Sequence, residues 1–220
     1  MSIQDLITEK KIEEVLHFTT NNGIVGILAT GYLRSRFRLA EDQLLQHILF
    51  PNAATRPEEA SHFDKSENWL DYVNLSISEI NSRYFQVSGR WHGAKNVWWG
   101  ILVFDPVIIE HEGVYFASTN NSYDNCKRGQ GVEGFNALFA PLIQCKGDWR
   151  ILRKNRLDKL PTCEQAEILY PEKISTQFLK KIYVANESNH DAVLGWLREF
   201  DLLNVKVIIS KEKFNGMPNQ

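Results

Sequence analysis

Two short apolar runs constrain this chain more than anything else in it. Val15-Leu16-His17-Phe18-Thr19 and Gln165-Ala166-Glu167-Ile168-Leu169-Tyr170 both read as β-strands. Each encloses a polar residue type, His17 or Glu167, that a strand seldom buries without a partner or a task. Whatever fold the chain adopts must therefore be built on strands and must hold a histidine and a carboxylate at strand positions. The first run leads into Thr20-Asn21-Asn22, residue types that cap helices, and then into Ile24, Val25, Ile27 and Leu28 at helical spacing as far as Gly31. A strand that ends at a helix N-terminus offers backbone N–H groups and a positive dipole end to an anion. Taken alone, His17 fits a satisfied core histidine as well as an active-site group.

Elsewhere, helical and extended patterns alternate irregularly. The spacing predicts helices over Ile3 to Ile12, Glu41 to Leu49, Val132 to about Pro141 and Asp191 to Phe200. It predicts extended segments over Tyr32 to Leu39, Asp71 to Ile77, Trp98 to Phe104, Val114 to Ala117, Lys181 to Val184 and Val205 to Ser210. This irregular order indicates an α+β fold rather than a βαβ ladder. Asn52 to Asn68 is polar, aperiodic and long for a connection, which marks it as a functional or mobile loop rather than an idle one. With 220 residues and no convincing internal boundary, the chain is expected to close one core as a single domain spanning 1–220.

Charge and motif content remove several function classes. The net charge of −2 disfavours a globally basic nucleic-acid binder but leaves room for a local basic face. Cys126, Cys145 and Cys163 are odd in number and far apart in sequence, without metal-ligand spacing, and are read as reduced thiols with no metal. The N-terminus is too densely charged for a signal peptide and no apolar run approaches the roughly 20 residues of a membrane span, so a cytoplasmic protein without membrane contact is expected. P-loop, HExxH, GxSxG and dinucleotide glycine motifs are missing. Gly129-Gln130-Gly131 is either a flexible loop or a phosphate cradle. The stretch Lys146 to Arg156 is either a solvated surface or a nucleic-acid track. In the second reading Trp149 stacks on a base and Arg150, Arg153, Lys154 and Arg156 meet phosphates.

Three segments in order, His17-Phe18-Thr19-Thr20-Asn21-Asn22-Gly23 through Gly31, Leu70-Asp71-Tyr72-Val73, and Gln165-Ala166-Glu167-Ile168-Leu169, resemble the motifs of the DarT family. The resemblance implies an ADP-ribosyltransferase fold, with two packed, twisted β-sheets, flanking helices and a central NAD cleft. It implies transfer of ADP-ribose from NAD, as co-substrate, onto a nucleic-acid base, commonly thymidine in single-stranded DNA. It further implies a toxin paired with an antitoxin, either a macrodomain glycohydrolase or a chaperone-dependent one. By motif, Glu167 corresponds to the catalytic glutamate and His17 to the NAD-contacting histidine; by spacing from Asp71, Arg56 corresponds to an arginine that contacts NAD and serves catalysis. Thr19 and Asn22 supply hydroxyl and amide groups for ribose and pyrophosphate. Tyr72 is either a ring stacked on nicotinamide or a core aromatic.

These residue types suit the chemistry. Cleaving the nicotinamide–ribose bond builds positive charge on the ribose, which a fixed carboxylate stabilises. An arginine neutralises the pyrophosphate bidentately, as a lysine cannot. Where the family has an aromatic and proline-rich run, this chain has Asn74-Leu75-Ser76-Ile77-Ser78. The acceptor is therefore open between DNA and RNA, and a non-catalytic nucleic-acid-binding module is the alternative from another class.

Overall fold

A computed structural model describes residues 1–41, 69–91 and 96–219. Along the chain these form α1 (Ile3–Glu9), β1 (Val15–Thr20), α2 (Asn21–Thr30), β2 (Tyr32–Arg34), α3 (Arg36–Glu41), β3 (Tyr72–Ile77), α4 (Ser82–Trp91), β4 (Trp99–Phe104), β5 (Tyr115–Ala117) and β6 (Arg128–Gln130). They continue with α5 (Gly131–Ala137), β7 (Leu142–Gln144), β8 (Arg150–Leu152), β9 (Glu167–Pro171), β10 (Lys173–Ser175), β11 (Leu179–Val184), α6 (Glu187–Glu199) and β12 (Lys206–Ile209). Eight strands make one sheet in the order β12-β11-β4-β1-β3-β9-β5-β6, with β10-β2 and β7-β8 as separate ribbons.

The sheet is nearly divided in two. Strand β1 pairs with β4 over its full length, from Val15 opposite Phe104 to Thr20 opposite Trp99. With β3 it pairs only at Val15–Ile77 and Leu16–Ser76. Past Leu16 the two strands part, so the two expected sheets are the halves β12-β11-β4-β1 and β3-β9-β5-β6, joined at a short seam. The seam's closed end is clasped by charge. Ser78 N–H donates to the Glu14 carbonyl at 2.9 Å, and the buried Glu14 carboxylate accepts from Lys181 at 2.8 Å, Lys213 at 2.8 Å and the Tyr183 hydroxyl at 2.6 Å.

One face of the sheet carries the main core. Val15, Leu75, Ile77, Leu102, Phe104, Phe116 and Ile168 pack there with Leu6 and Ile7 of α1, Ile24 and Leu28 of α2, Phe135 of α5 and Val193 and Leu197 of α6. Each such side chain removed from water contributes on the order of 1.5–3 kcal/mol. Helix α2 starts where the sequence predicts: the Thr20 hydroxyl caps it by accepting from Gly23 N–H at 3.3 Å, and Gly31 ends it at φ 73°. Gly23 is required because a Cβ there would stand 2.1 Å from the Thr19 hydroxyl oxygen.

Several sequence expectations change. Tyr32 to Leu39 is extended only to Arg34; the Ser35 hydroxyl accepts from Arg38 N–H at 3.2 Å, and Arg38 forks onto the Asp71 carboxylate, which turns the chain into α3. The helix that was to run to about Pro141 ends at Ala137, and Leu142 begins β7. Helix α4, an amphipathic segment absent from the predicted elements, is capped by the Asn81 side chain, which accepts from Tyr84 N–H at 3.0 Å. Gly129-Gln130-Gly131 is not a loop but the end of β6 and the start of α5. The helix expected over Glu41 to Leu49 and the loop Asn52 to Asn68 lie outside the described residues, apart from Glu41 at the end of α3. Among the described residues no helix is long and apolar enough to cross a membrane.

Two glycines test the packing in opposite directions. A Cβ on Gly134 would meet the Gly129 carbonyl carbon at 2.3 Å, whereas one on Gly195, inside α6, meets nothing within 4 Å. In urea unfolding, Gly195→Ala is expected to stabilise by about 0.5–1 kcal/mol and Gly134→Ala to destabilise by about 1–3 kcal/mol.

Candidate active site

His17 is the first residue past the seam. Its Nδ1 lies 3.0 Å from the backbone carbonyl of Asn74 on β3, so a side-chain bond spans the gap where the strand ladder stops. A carbonyl only accepts, which assigns the proton to Nδ1 and leaves Nε2 as the acceptor nitrogen of a neutral ring. Burial holds the ring's pKa below its ordinary 6.5, so His17 is neutral at pH 7. Thr19 sits two residues along, its hydroxyl against Gly23. Asn22 is exposed in the first turn of α2, while Asn21 ties that turn to the approach to β4 through Trp98 O at 2.9 Å and Asn96 O at 3.1 Å.

Glu167 opens β9 on the other half of the sheet. It stands opposite Ala117 of β5, whose other neighbour is Arg128 of β6. Glu167 and Arg128 thus flank Ala117 on one face, with backbones roughly 10 Å apart from strand spacing alone. The carboxylate accepts from the Asn121 N–H at 2.7 Å. Burial pushes its pKa up to about 7, against the pull of that N–H, of the Asn74 side chain and of the Arg128 charge. Asn74 therefore serves both halves, its carbonyl bound to His17 and its side chain favouring the Glu167 anion. A carboxyl that changes protonation near neutrality, next to a gap in a sheet, is suited to stabilising a cation or taking a proton.

Tyr72 belongs to the same face as Asn74 and packs on Trp69 and Tyr115, with ring centroids at 5.4 and 5.9 Å. Arg56 lies outside the described residues. The basic stretch forms β8 and the loop after it. Trp149 is half-buried over Ile143, Cys145 and Ile151, with the Arg83 guanidinium 4.9 Å from its ring. Arg153 donates to Leu160 O at 3.0 Å, Thr162 Oγ1 at 3.2 Å and Leu157 O at 3.2 Å, and Arg156 to Pro161 O at 2.6 Å and Met217 O at 2.9 Å. Both arginines thereby staple the chain between β8 and β9, whereas Lys146, Arg150 and Lys154 are exposed.

Sequence reasoning missed Asn74, Asn121 and Arg128 as parts of the site. Only strand pairing brings them to Glu167, although an arginine directly before Gly129-Gln130-Gly131 was a visible signal. It also missed that Cys145 and Cys163 meet. Their sulfurs are 3.9 Å apart in the core, the Thr119 hydroxyl touching both, and all three cysteines are free thiols. Among the described residues no cluster of His, Cys, Asp or Glu is arranged to hold a metal ion.

The family model described as "ssDNA thymidine ADP-ribosyltransferase, DarT" matches residues 16–215. This chain belongs to the DarT family. Among solved structures, Thermosipho africanus DarTG in complex with ADP-ribose matches with a TM-score of 0.62 at 14% identity, covering 94% of this chain and 52% of that one. Thermus sp. 2.9 DarT in complex with ADP-ribosylated ssDNA matches at 0.62 and 15% identity, over 92% of this chain and 96% of that one. The same Thermus protein in complex with NAD+ matches at 0.59 and 17%, over 92% and 98%. The chain thus spans about half of the Thermosipho DarTG chain and nearly all of Thermus DarT. These likenesses establish the ADP-ribosyltransferase fold; no curated protein sequence matches the chain.

For this DarT-family chain the raised pKa of Glu167 has a stability consequence. A carboxyl whose folded pKa lies above its ordinary 4.5 favours the folded state at low pH and loses that contribution as pH rises through about 7. Glu167→Gln, neutral throughout, should therefore melt above the natural protein at pH 8, with the gain shrinking toward pH 5. Thermal melts at the two pH values check this; an equal gain at both would mean Glu167 titrates normally.

Proposed function

We propose that this chain cleaves the nicotinamide–ribose bond of NAD in the gap between β1 and β3 and transfers the ADP-ribose to a thymidine base of single-stranded DNA. The observation that carries the reading is Glu167, a carboxylate held at the edge of that gap by the Asn121 N–H and tuned to titrate near pH 7. As the glycosidic bond lengthens, its electron pair leaves with nicotinamide and the ribose C1′ gains positive charge, which the carboxylate stabilises. The thymine ring carries one N–H; its nitrogen forms the new bond to C1′ and its proton passes to Glu167. In this reading His17, Thr19, Asn22 and Tyr72 hold NAD, and Arg56 neutralises its pyrophosphate.

DNA is preferred to RNA as acceptor because the matching family model is that of an ssDNA thymidine ADP-ribosyltransferase. The run Asn74 to Ser78, which left the acceptor open, follows strand β3 as far as Ile77, with Leu75 and Ile77 in the core and Ser76 paired to Leu16, and Ser78 leaves the strand at φ 63°. Lys146, Arg150 and Lys154, with Trp149 beside them, are the proposed track for the DNA backbone. The toxin role, opposite a macrodomain glycohydrolase or a chaperone-dependent antitoxin, follows from the family resemblance.

The test is to incubate the protein with NAD and separate pools of single-stranded DNA, RNA and protein, and to follow nicotinamide release and acceptor mass. The DNA pool alone should gain ADP-ribose, on thymidine. Glu167→Ala should lower transfer by at least about two orders of magnitude. Replacing Lys146, Arg150 and Lys154 with Gln should flatten the salt dependence of DNA binding. Mass gain on RNA or protein only, or full activity in Glu167→Ala, would overturn the reading.

A further inference from the structure

Between β5 and β6 the chain makes the loop 118–127, which folds back over the start of β9. Its mouth is closed by Ser118 N–H donating to Lys127 O at 2.9 Å and Lys127 N–H to the Ser118 hydroxyl at 3.1 Å. Within it, Asn120 Oδ1 accepts from the Ser122 N–H at 2.9 Å and the Ser122 hydroxyl at 2.6 Å, and Tyr123 N–H donates to Asn120 O at 3.0 Å. Asn121, at the centre, is 5% exposed.

Arg128, the first residue of β6, grips Asn121 twice. Its Nε donates to the Asn121 side-chain oxygen at 2.5 Å and its Nη2 to the Asn121 carbonyl at 2.6 Å. Its guanidinium also lies 4.9 Å from the centre of the Trp69 ring. Fixing both the side chain and the carbonyl of one residue leaves little freedom to the N–H of that residue, and this N–H is the donor that meets Glu167 at 2.7 Å.

We propose that Arg128 is a positioning residue for the transfer reaction, locking the turn at Asn121 so that its backbone N–H holds the Glu167 carboxylate in its reacting place. The proposal rests on the reading of Glu167 as the reacting carboxylate. A donor held rigid before the reaction costs no reorganisation during it, and misplacing a reacting group by about 1 Å can cost on the order of a hundredfold in rate. The fork geometry is what the task needs. A lysine retains the charge but, as a single point donor, cannot orient the amide and the carbonyl of Asn121 together. Among the described residues, the titratable and charged groups bearing on Glu167 are Arg128 from β6 and the Cys126 thiol from the loop, with His17 of β1 on the far side of Asn74.

Two variants and two readouts test this. Arg128→Gln should lower kcat for ADP-ribose transfer by about ten- to a hundredfold, with the KM for NAD within about threefold. Arg128→Lys should lose about tenfold in kcat, because charge without the fork does not hold the turn. Carboxyl ¹³C titration of the full chain without substrates, with the Glu167 signal assigned by its loss in Glu167→Gln, should show Glu167 titrating at higher pH in Arg128→Gln than in the natural protein. The displacement should be smaller in Arg128→Lys. A rate within twofold of the natural protein together with an unmoved titration would overturn the proposal. So would a rate loss that follows only the melting temperature while Glu167 titrates as before. If the natural protein released no nicotinamide, the functional reading would fall by itself, and the titration would still decide whether Arg128 governs Glu167.

Discussion

The site depends on one constraint, the seam at which β1 and β3 share two residue pairs and then separate. Two pairs suffice to hold the halves of the sheet together because the closed end is reinforced. Glu14 meets Lys181, Lys213 and the Tyr183 hydroxyl there, and Lys213 also reaches Glu79 at 3.0 Å. Removing one partner from such a buried cluster leaves an uncompensated charge, typically at several kcal/mol. The clasp therefore fixes where the strands part. Beyond it, backbone groups that would otherwise complete a ladder become available to side chains, and the His17 bond to Asn74 O is the first consequence. The cleft is thus a strand pairing that stops early.

The same economy of parts explains why the carboxylate is perturbed. Glu167 begins its strand at the edge of the opening, half-buried, with Ala117 opposite and buried residues Gln165 and Ala166 before it. Burial alone would neutralise it. The Asn121 N–H, Asn74 and Arg128 pull in the other direction and leave it near pH 7, the range in which a group can be both an anion toward a developing cation and an acceptor of a proton. Polar groups of the β3-β9-β5-β6 half thus converge on a single tuned residue, with Asn74 linking that half to His17 of β1.

What was legible in the sequence was local. The strands carrying His17 and Glu167, the Thr20 cap and the Gly31 stop are each decided within a few residues, and the family motifs lie on them. What was not legible depended on pairing across the sheet. Arg128 reaches the site only because β6 lies beside β5 and β5 beside β9, and Cys145 and Cys163 touch only because β7 and the approach to β9 pack together. Helix α3 was read as strand because its decisive contact, Arg38 with Asp71, spans 33 residues. Charge counting likewise registered Arg153 and Arg156 as cations but not that loop carbonyls take their donors, which a sequence does not display.

The most direct test of the account is a crystal structure of the protein with a non-hydrolysable NAD analogue. The ribose next to nicotinamide should lie in the gap past Leu16, with Glu167 at its reacting carbon and His17 on the other side of the nucleotide. An analogue bound elsewhere, against the β7-β8 ribbon or α6, with the gap between β1 and β3 unchanged, would contradict it.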